Sequence, residues 1–188
     1  MINKKEIFTI SNLLSFLRLL LVIPFWFLIE IINEPNIRTV LIALCFFAFL
    51  TDILDGFIAR YRNEITEFGK IIDPLADKVC VGVIIIKLYL IGEISPLFFY
   101  LVIGRDLLIF FAGLVLTRKI GKVLPSNVLG KITVIFISLF ILSIFFSIPQ
   151  ENIWFQSFYL STIGLIISSL VGYAIRANEI LKGKHATI

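Results

Sequence analysis

The most restrictive feature of this sequence is the length and continuity of its hydrophobic runs. A helix needs about 20 mostly apolar residues to cross a bilayer, and six such stretches can be marked in the 188 residues. They run from Ile10 to Ile32, Thr39 to Ile58, Leu75 to Ile91, Leu97 to Thr117, Val123 to Ile148 and Phe155 to Ile175. We therefore predict an all-α integral membrane protein with six transmembrane helices and a single domain over residues 1–188.

The composition supports this class. Hydrophobic residues make up 59% of the chain and charged residues 16%, which is outside the range of ordinary soluble domains. The first hydrophobic run contains Arg18 and lacks a small-residue cleavage site, so we expect it to be retained as a helix. The expected surroundings are a lipid bilayer and small-molecule ligands, with no nucleic-acid partner.

Basic residues predict the orientation, because cytoplasmic loops collect Lys and Arg. They precede the first helix, fill the connections after the second and fourth helices, and recur in the tail. The opposite connections contain Arg38 and otherwise Glu34, Glu93 and Glu151. Both termini are therefore expected to be cytoplasmic. Lys87, near the other end of the third helix, is expected to extend toward the outer interface with its stem in lipid.

Four aspartates inside predicted helices are the first candidates for function, because charges within a membrane span are costly and usually functional. Asp52 and Asp55 lie about 8 and 5 residues before Arg60, roughly 8 to 12 Å inside the charged boundary. Asp73 and Asp77 follow at the start of the third helix, where Pro74 would be tolerated in a first turn. Each pair has a spacing that shares one helix face. Folding the second and third helices together would bring the two pairs face to face.

Such a cluster predicts a metal site. Carboxylates in a low dielectric repel one another unless a cation neutralises them. Oxygen ligands without Cys or His suit hard divalent ions, first Mg²⁺ and then Mn²⁺ or Ca²⁺. Gly56 and Ala59 leave room beside the aspartates, and Arg60 is suited to phosphate. Together these residues indicate phosphoryl chemistry.

The aspartates could also serve a structural role or a transport role. They could form a structural network with Arg60, Arg62 or Lys78. A cation transporter would also carry intramembrane aspartates, but it would place them near the midplane and often contain inverted repeats. The sequence places them near one face and contains no visible repeat.

The spacing D-x2-D-G-x2-A-R-x8-G-x3-D-x3-D over residues 52–77 resembles the signature of the CDP-alcohol phosphotransferase family, also called CDP-alcohol phosphatidyltransferases. Every motif position is filled. The resemblance implies three metal ligands, Asp52, Asp55 and Asp73, and a fourth carboxylate, Asp77, that is both ligand and general base. It also implies two bound ions, Mg²⁺ or Mn²⁺, and a CDP-binding border formed by Gly56, Ala59, Arg60 and Gly69.

The implied activity is transfer of a phosphatidyl group from CDP-diacylglycerol to an alcohol, with release of CMP. The resemblance further implies a homodimer with a cytoplasm-facing active site, as in the bacterial inner membrane. Asn12, Ser15 and Arg18 resemble the first-helix series of family members that use glycerol 3-phosphate. Gly104, Arg105 and Asp106 are closer to members that make cardiolipin, and inositol phosphate or serine acceptors stay open.

A phosphorylated acceptor needs cations. Arg105 lies about 10 residues into the fourth helix, roughly 15 Å from the outer boundary. We predict that Arg105, Lys131, Arg176 and Arg18 converge on the acceptor phosphate. The alternative is that Asp106 pairs with one of these cations.

Overall fold

The structure, a computed structural model, describes residues 9–61, 66, 69–120 and 128–181. Those residues contain seven helices and no strand, in agreement with the predicted all-α class. The helices are α1 (Ile10–Leu20), α2 (Val22–Glu30), α3 (Ile37–Tyr61), α4 (Gly69–Leu90), α5 (Pro96–Ile120), α6 (Val128–Phe145) and α7 (Ile153–Leu181).

The chain divides into two compact units, Met1–Glu93 and Ile94–Ile188. In the first unit α1 and α2 pack against α3 and α4, and in the second α7 packs against α5 and α6. Buried apolar side chains fill both interiors, such as Phe25 and Leu88 in the first unit and Phe98 and Phe140 in the second. A single domain over 1–188 stays a prediction.

The prediction of one continuous first helix is wrong, because the structure has two helices joined at Leu21. Pro24 gives the physical reason. Its nitrogen has no hydrogen to donate to the carbonyl one turn earlier, so a proline inside a helical run interrupts the hydrogen-bond ladder. Hydrogen bonds from the Leu21 and Phe25 amides to the Leu17 and Leu21 carbonyls, 3.0 and 3.2 Å, keep the two segments nearly continuous.

The third predicted helix begins earlier than expected, at Gly69 and not near Asp73. The Gly69 amide donates to the Thr66 hydroxyl at 2.9 Å, which satisfies one of the unpaired N–H groups of a helix start. Asp73 and Pro74 therefore lie beyond the first turn of α4, which corrects the predicted position of Pro74. The predicted start of the fifth helix at Val123 lies outside the described residues.

Within the described residues, five helical segments are long and apolar enough to cross a membrane, as an integral membrane protein requires. They are Ser11–Glu30, Ile37–Ile58, Pro96–Gly113, Val128–Phe145 and Ile153–Arg176. The third predicted span, Leu75 to Ile91, is not among them; it corresponds to α4, which contains Asp73, Asp77, Lys78 and Lys87. These charged residues distinguish α4 from the five apolar segments, so the count of six spans stays a prediction. The orientation of the termini also stays a prediction.

Lys87 is not extended into lipid as predicted. It is 6% exposed and pairs with Glu30 at the end of α2. Its ammonium also lies 4.5 Å from the centre of the Trp26 ring, a cation–π contact. Charge pairing inside the first unit therefore replaces the predicted extension of Lys87 along the lipid.

Candidate active site

One face of α1 carries the polar side chains around which the site is built. Thr9 precedes the helix, and its hydroxyl accepts from the Asn12 amide at 3.3 Å, as a helix N-cap does. Ser11, Ser15 and Arg18 follow at spacings of four and three residues, which place them on one face. All three are buried. Buried polar groups need hydrogen-bond partners, and those partners come from α3 and α4.

Arg18 pairs with three of the four signature aspartates. Its Nη1 lies 3.2 Å from Oδ1 of Asp52 and also pairs with Asp77, while Nη2 pairs with Asp55. Asp52 and Asp55 belong to α3 and Asp77 to α4, so one guanidinium joins two helices. The guanidinium is planar and presents several donors, a shape suited to binding more than one carboxylate.

Ser15 brings the fourth aspartate into the same cluster. Its hydroxyl is within hydrogen-bonding distance of Asp73 and lies 3.5 Å from Oδ2 of Asp55. Ser11 adds a contact to the backbone, donating to the Asp55 carbonyl at 3.2 Å. The four predicted metal ligands are thus gathered around α1, which we call the carboxylate cluster: Asp52, Asp55, Asp73 and Asp77.

The way in which the cluster is assembled differs from the prediction. We expected α3 and α4 to bring their aspartates face to face directly. Instead α1 packs extensively against both helices, and among the described residues α3 and α4 contact each other far less. The aspartates therefore meet through Arg18 and Ser15. Arg18, a charged residue within the first apolar run, was the signal in the sequence that could have indicated this arrangement, although it was assigned to the acceptor phosphate.

Exposure differs strongly within the carboxylate cluster. The Asp55 side chain is 5% exposed, whereas those of Asp52 and Asp77 are 50% and 47% exposed. The carboxylates of Asp52 and Asp77 are therefore accessible from outside the cluster, whereas that of Asp55 is buried. Among the described residues, no three acidic, Cys or His side chains are as close together as a metal ion would require. Arg18 lies among the carboxylates, which are oxygen donors of the kind that Mg²⁺ prefers.

Gly69, a predicted CDP-binding residue, lies at a close contact between α4 and α1. A Cβ at this position would lie 2.7 Å from Oδ1 of Asn12 and 3.0 Å from the Thr66 hydroxyl. Asn12 also donates to that hydroxyl at 3.4 Å. A side chain at Gly69 would therefore disturb the contact between the two helices beside Asp73.

The other predicted CDP-binding residues all lie on α3. Gly56 follows Asp55 directly and is half-buried. The backbones of Ala59 and Arg60 belong to the last turns of α3, and their side chains lie outside the described part of the chain. A role of these three residues and Gly69 in binding CDP stays a prediction.

Arg105, predicted to bind the acceptor phosphate, is buried in the second unit and has partners there. It donates to the Gly130 carbonyl at 3.2 Å and to the Ser169 hydroxyl at 3.4 Å, and it pairs with Asp106 at 2.6 Å. The alternative that Asp106 pairs with one of the predicted cations is therefore present in the structure. Gly130 makes room for this arrangement, because a Cβ there would lie 3.1 Å from Nη2 of Arg105.

The remaining predicted acceptor residues are placed differently. Lys131 is exposed and directly follows Gly130, the residue that accepts from Arg105. Arg176 is half-buried on α7. Arg18 lies in the first unit on the carboxylate cluster. Convergence of the four cations on one phosphate stays a prediction.

Two residues of the site were missed in the sequence. Ser11 contacts the Asp55 backbone, and Thr66 binds both Asn12 and the start of α4. Ser11 had a signal, because it precedes Ser15 by one helical turn in a mostly apolar segment. Thr66 lies in a connection, where periodicity gives no information.

Comparisons with known proteins place the chain in a family. The family model described as CDP-alcohol phosphatidyltransferase matches residues 8–173. A CDP-diacylglycerol–glycerol-3-phosphate 3-phosphatidyltransferase of Aquifex aeolicus is 38% identical over 137 residues, covering 72% of this chain and 74% of the relative. One of the same name from Rickettsia bellii is 38% identical over 123 residues, covering 65% and 66%.

A third relative carries a different name. A CMP-forming cardiolipin synthase of Rattus norvegicus is 39% identical over 105 residues, covering 55% of this chain and 33% of the relative. The family model itself spans most of the sequence, including the whole signature at residues 52–77. The resemblance inferred from the signature is confirmed, and the chain belongs to the CDP-alcohol phosphatidyltransferase family.

Proposed function

We propose that this enzyme transfers a phosphatidyl group from CDP-diacylglycerol to glycerol 3-phosphate, forming phosphatidylglycerophosphate and releasing CMP. The observation that carries the proposal is the gathering of the four signature aspartates around Arg18 and Ser15. The names of the Aquifex and Rickettsia relatives support this acceptor.

The carboxylate cluster would hold divalent ions, Mg²⁺ or alternatively Mn²⁺, and two of them by family resemblance. The support is the donor chemistry, because all the donors are oxygens and the side chains of Asp52 and Asp77 are half exposed and therefore reachable. Asp52, Asp55, Asp73 and Asp77 would hold the ions. When bound, such ions would neutralise the pyrophosphate and polarise the phosphorus that reacts.

Asp77 is the proposed general base. It would take the proton from the acceptor hydroxyl, whose oxygen then forms a bond to the lipid-side phosphorus. The bond between that phosphorus and the bridging oxygen of the pyrophosphate breaks, and CMP leaves with the bridging oxygen. The half-exposed carboxylate of Asp77 supports this role, because a base must be reachable by the acceptor, whereas Asp55 is enclosed.

The remaining parts of the proposal concern the surroundings of the reaction. CDP would lie along Gly56, Ala59, Arg60 and Gly69, and the acceptor phosphate would be bound by Arg105, Lys131, Arg176 and Arg18. The active site would face the cytoplasm, as the distribution of Lys and Arg suggests, in a bacterial inner membrane. The working form would be a homodimer.

A second acceptor is supported by specific observations. The rat relative is named a cardiolipin synthase, and Gly104, Arg105 and Asp106 resemble that group. The acceptor would then be phosphatidylglycerol. A phosphate monoester acceptor and a lipid acceptor differ in charge and size, so one assay separates them.

The test is an acceptor panel with the purified full-length protein in detergent. CDP-diacylglycerol and Mg²⁺ are incubated with glycerol 3-phosphate, free glycerol, serine, inositol phosphate or phosphatidylglycerol, and the lipid product is identified by mass spectrometry. We expect phosphatidylglycerophosphate and CMP only with glycerol 3-phosphate, and no product in excess chelator. Equal use of free glycerol would rule out a phosphate-selective site, and cardiolipin as the product would favour the second acceptor.

A further inference from the structure

Arg18 is the cation that balances the carboxylate cluster in this structure. Its side chain is 3% exposed and pairs with Asp52, Asp55 and Asp77. A buried charge without a partner is strongly unfavourable, and so is a group of like charges in a low dielectric. The pairing therefore meets two needs together, because it compensates the buried guanidinium and reduces the repulsion among the aspartates.

The neutralisation by Arg18 is incomplete. One guanidinium faces three carboxylates, and Ser15 adds a neutral hydroxyl between Asp55 and Asp73. Asp52 and Asp77 keep half of their side-chain surface exposed. The cluster can therefore accept further positive charge from the exposed side.

The hydrogen bonding of Arg18 is also incomplete. Its Nε is buried and has no hydrogen-bond partner among the described residues, although Nη1 and Nη2 are paired. A buried donor without an acceptor costs free energy. The arrangement is therefore not the one that satisfies this guanidinium best.

We propose that Arg18 is a displaceable counter-ion, which neutralises the carboxylate cluster in the metal-free enzyme and gives up carboxylate oxygens when divalent ions bind. The inference rests on the metal site of the proposed function. Arg18 is then a positioning residue with two effects: it keeps the aspartates together before metal binds, and it lowers the metal affinity because it occupies the same ligands.

Metal binding without substrate tests this proposal directly. The full-length protein in detergent is titrated with Mn²⁺, and free Mn²⁺ is followed by its electron paramagnetic resonance signal. Arg18→Gln should bind Mn²⁺ more tightly than the wild type by about tenfold or more, within the range of typical coupling between sites. Arg18→Lys keeps the charge but loses the two-armed contact, and it should also bind more tightly, by a smaller factor.

Lys78→Gln is the matched control for charge alone. Lys78 is exposed on α4 directly after Asp77, and its replacement removes one positive charge near the cluster. Its Mn²⁺ affinity should stay within about threefold of the wild type, as exposed charges interact weakly. Equal tightening by Lys78→Gln and Arg18→Gln, or unchanged or weaker binding in Arg18→Gln, would overturn the proposal.

Thermal unfolding of the same proteins gives a second measurement, because Mn²⁺ that binds the folded state raises the unfolding temperature. In chelator Arg18→Gln should unfold well below the wild type, and Mn²⁺ should restore most of the difference. A loss that is equal with and without Mn²⁺ would make Arg18 a fixed structural ion pair and would contradict the proposal. If Arg18→Gln cannot be purified in chelator but can be in Mn²⁺, the proposal is supported.

The outcome is separable from that of the proposed function. Mn²⁺ affinity and unfolding are measured without CDP-diacylglycerol or acceptor, so they do not depend on the reaction. Failure of the acceptor panel with the expected Mn²⁺ pattern would reject the acceptor and keep Arg18 as the counter-ion. The expected product together with an unaltered Mn²⁺ affinity in both Arg18 variants would support the acceptor and reject Arg18 as the counter-ion.

Discussion

Arg18 on α1 and Asp55 on α3 form an ion pair whose two side chains are almost completely enclosed, 3% and 5% exposed. The pairs of the same guanidinium with Asp52 and Asp77 involve carboxylates that are about half exposed. Removing one partner of an enclosed pair leaves a charge without compensation, which costs much more than removing an exposed one. We therefore expect Asp55 to contribute more to stability than Asp52 and Asp77.

Asp55→Asn should lower the free energy of unfolding by about 2 to 3 kcal/mol, because a hydrogen bond to a charged group is lost in an enclosed site. Asp52→Asn is the matched comparison on the same helix and should cost less than about 1 kcal/mol. Both variants should be catalytically inactive, because Asp52 and Asp55 are proposed metal ligands. Unfolding in detergent measures the difference, and equal destabilisation would show that burial does not decide the contribution of each aspartate.

Ser15→Ala should lower the free energy of unfolding by about 1.5 to 3 kcal/mol, because the hydroxyl that contacts the Asp73 carboxylate is removed. It should also raise the Mg²⁺ concentration needed for half-maximal activity, since Asp73 loses the group that orients it. Ser138→Ala is the control, because its hydroxyl donates to the Val134 carbonyl of its own helix at 3.1 Å. A Ser15 variant that behaves like the Ser138 variant would exclude this orienting role.

Gly69→Ala should destabilise the protein by about 1 to 3 kcal/mol, the usual cost of overpacking. The new Cβ would lie 2.7 Å from Oδ1 of Asn12, so the Asn12 side chain or α1 itself would have to shift. Gly82→Ala is the control on the same helix, because a Cβ there meets nothing within 4 Å. It should be neutral or stabilising by up to about 1 kcal/mol, as alanine is the better helix former. The opposite order of stability would contradict the close approach at Gly69.

Asp77→Asn should lower kcat by about 10²- to 10⁴-fold, the typical loss for a general base. Binding of CDP-diacylglycerol should change little, because the proposed ligands Asp52, Asp55 and Asp73 would still be present to hold the metal. Kinetics and direct lipid binding are measured on the same preparation. Near-normal turnover would assign the base to another residue, and loss of lipid binding alone would leave Asp77 as a ligand only.

Lys131→Ala should raise the KM for glycerol 3-phosphate by roughly 10- to 100-fold, which corresponds to the loss of about 1.5 to 3 kcal/mol for a hydrogen bond to a charged group. The fold should be unaffected, because Lys131 is exposed. Arg105→Ala should raise the same KM and also destabilise the second unit, since it removes the contacts to Gly130, Ser169 and Asp106. Destabilisation by Arg105→Ala without any change in KM for either variant would make Arg105 a structural residue.

The local sequence determined where the helices form and which helix faces carry the aspartates. Helix identity followed from continuous apolar runs, because a segment in lipid has to satisfy its backbone hydrogen bonds within itself. The periodicity of a helix placed Asp52 and Asp55 on one helix face, and Asp73 and Asp77 on one face of the next helix. The carboxylates with their adjacent small residues indicated phosphoryl chemistry, and the resemblance of the full spacing to a known signature indicated the family, which the family model confirmed.

Tertiary structure decided how those residues meet. Helical periodicity fixes which face of one helix a residue occupies, but it gives no information on which helix packs against that face. The sequence therefore predicted direct opposition of α3 and α4, whereas α1 brings Arg18 and Ser15 between them. The same limit explains why the ion pair of Lys87 was not predicted, because its partner Glu30 lies far away in the chain. It also explains why Thr66 was missed, because the role of its hydroxyl depends on the start of α4 at Gly69.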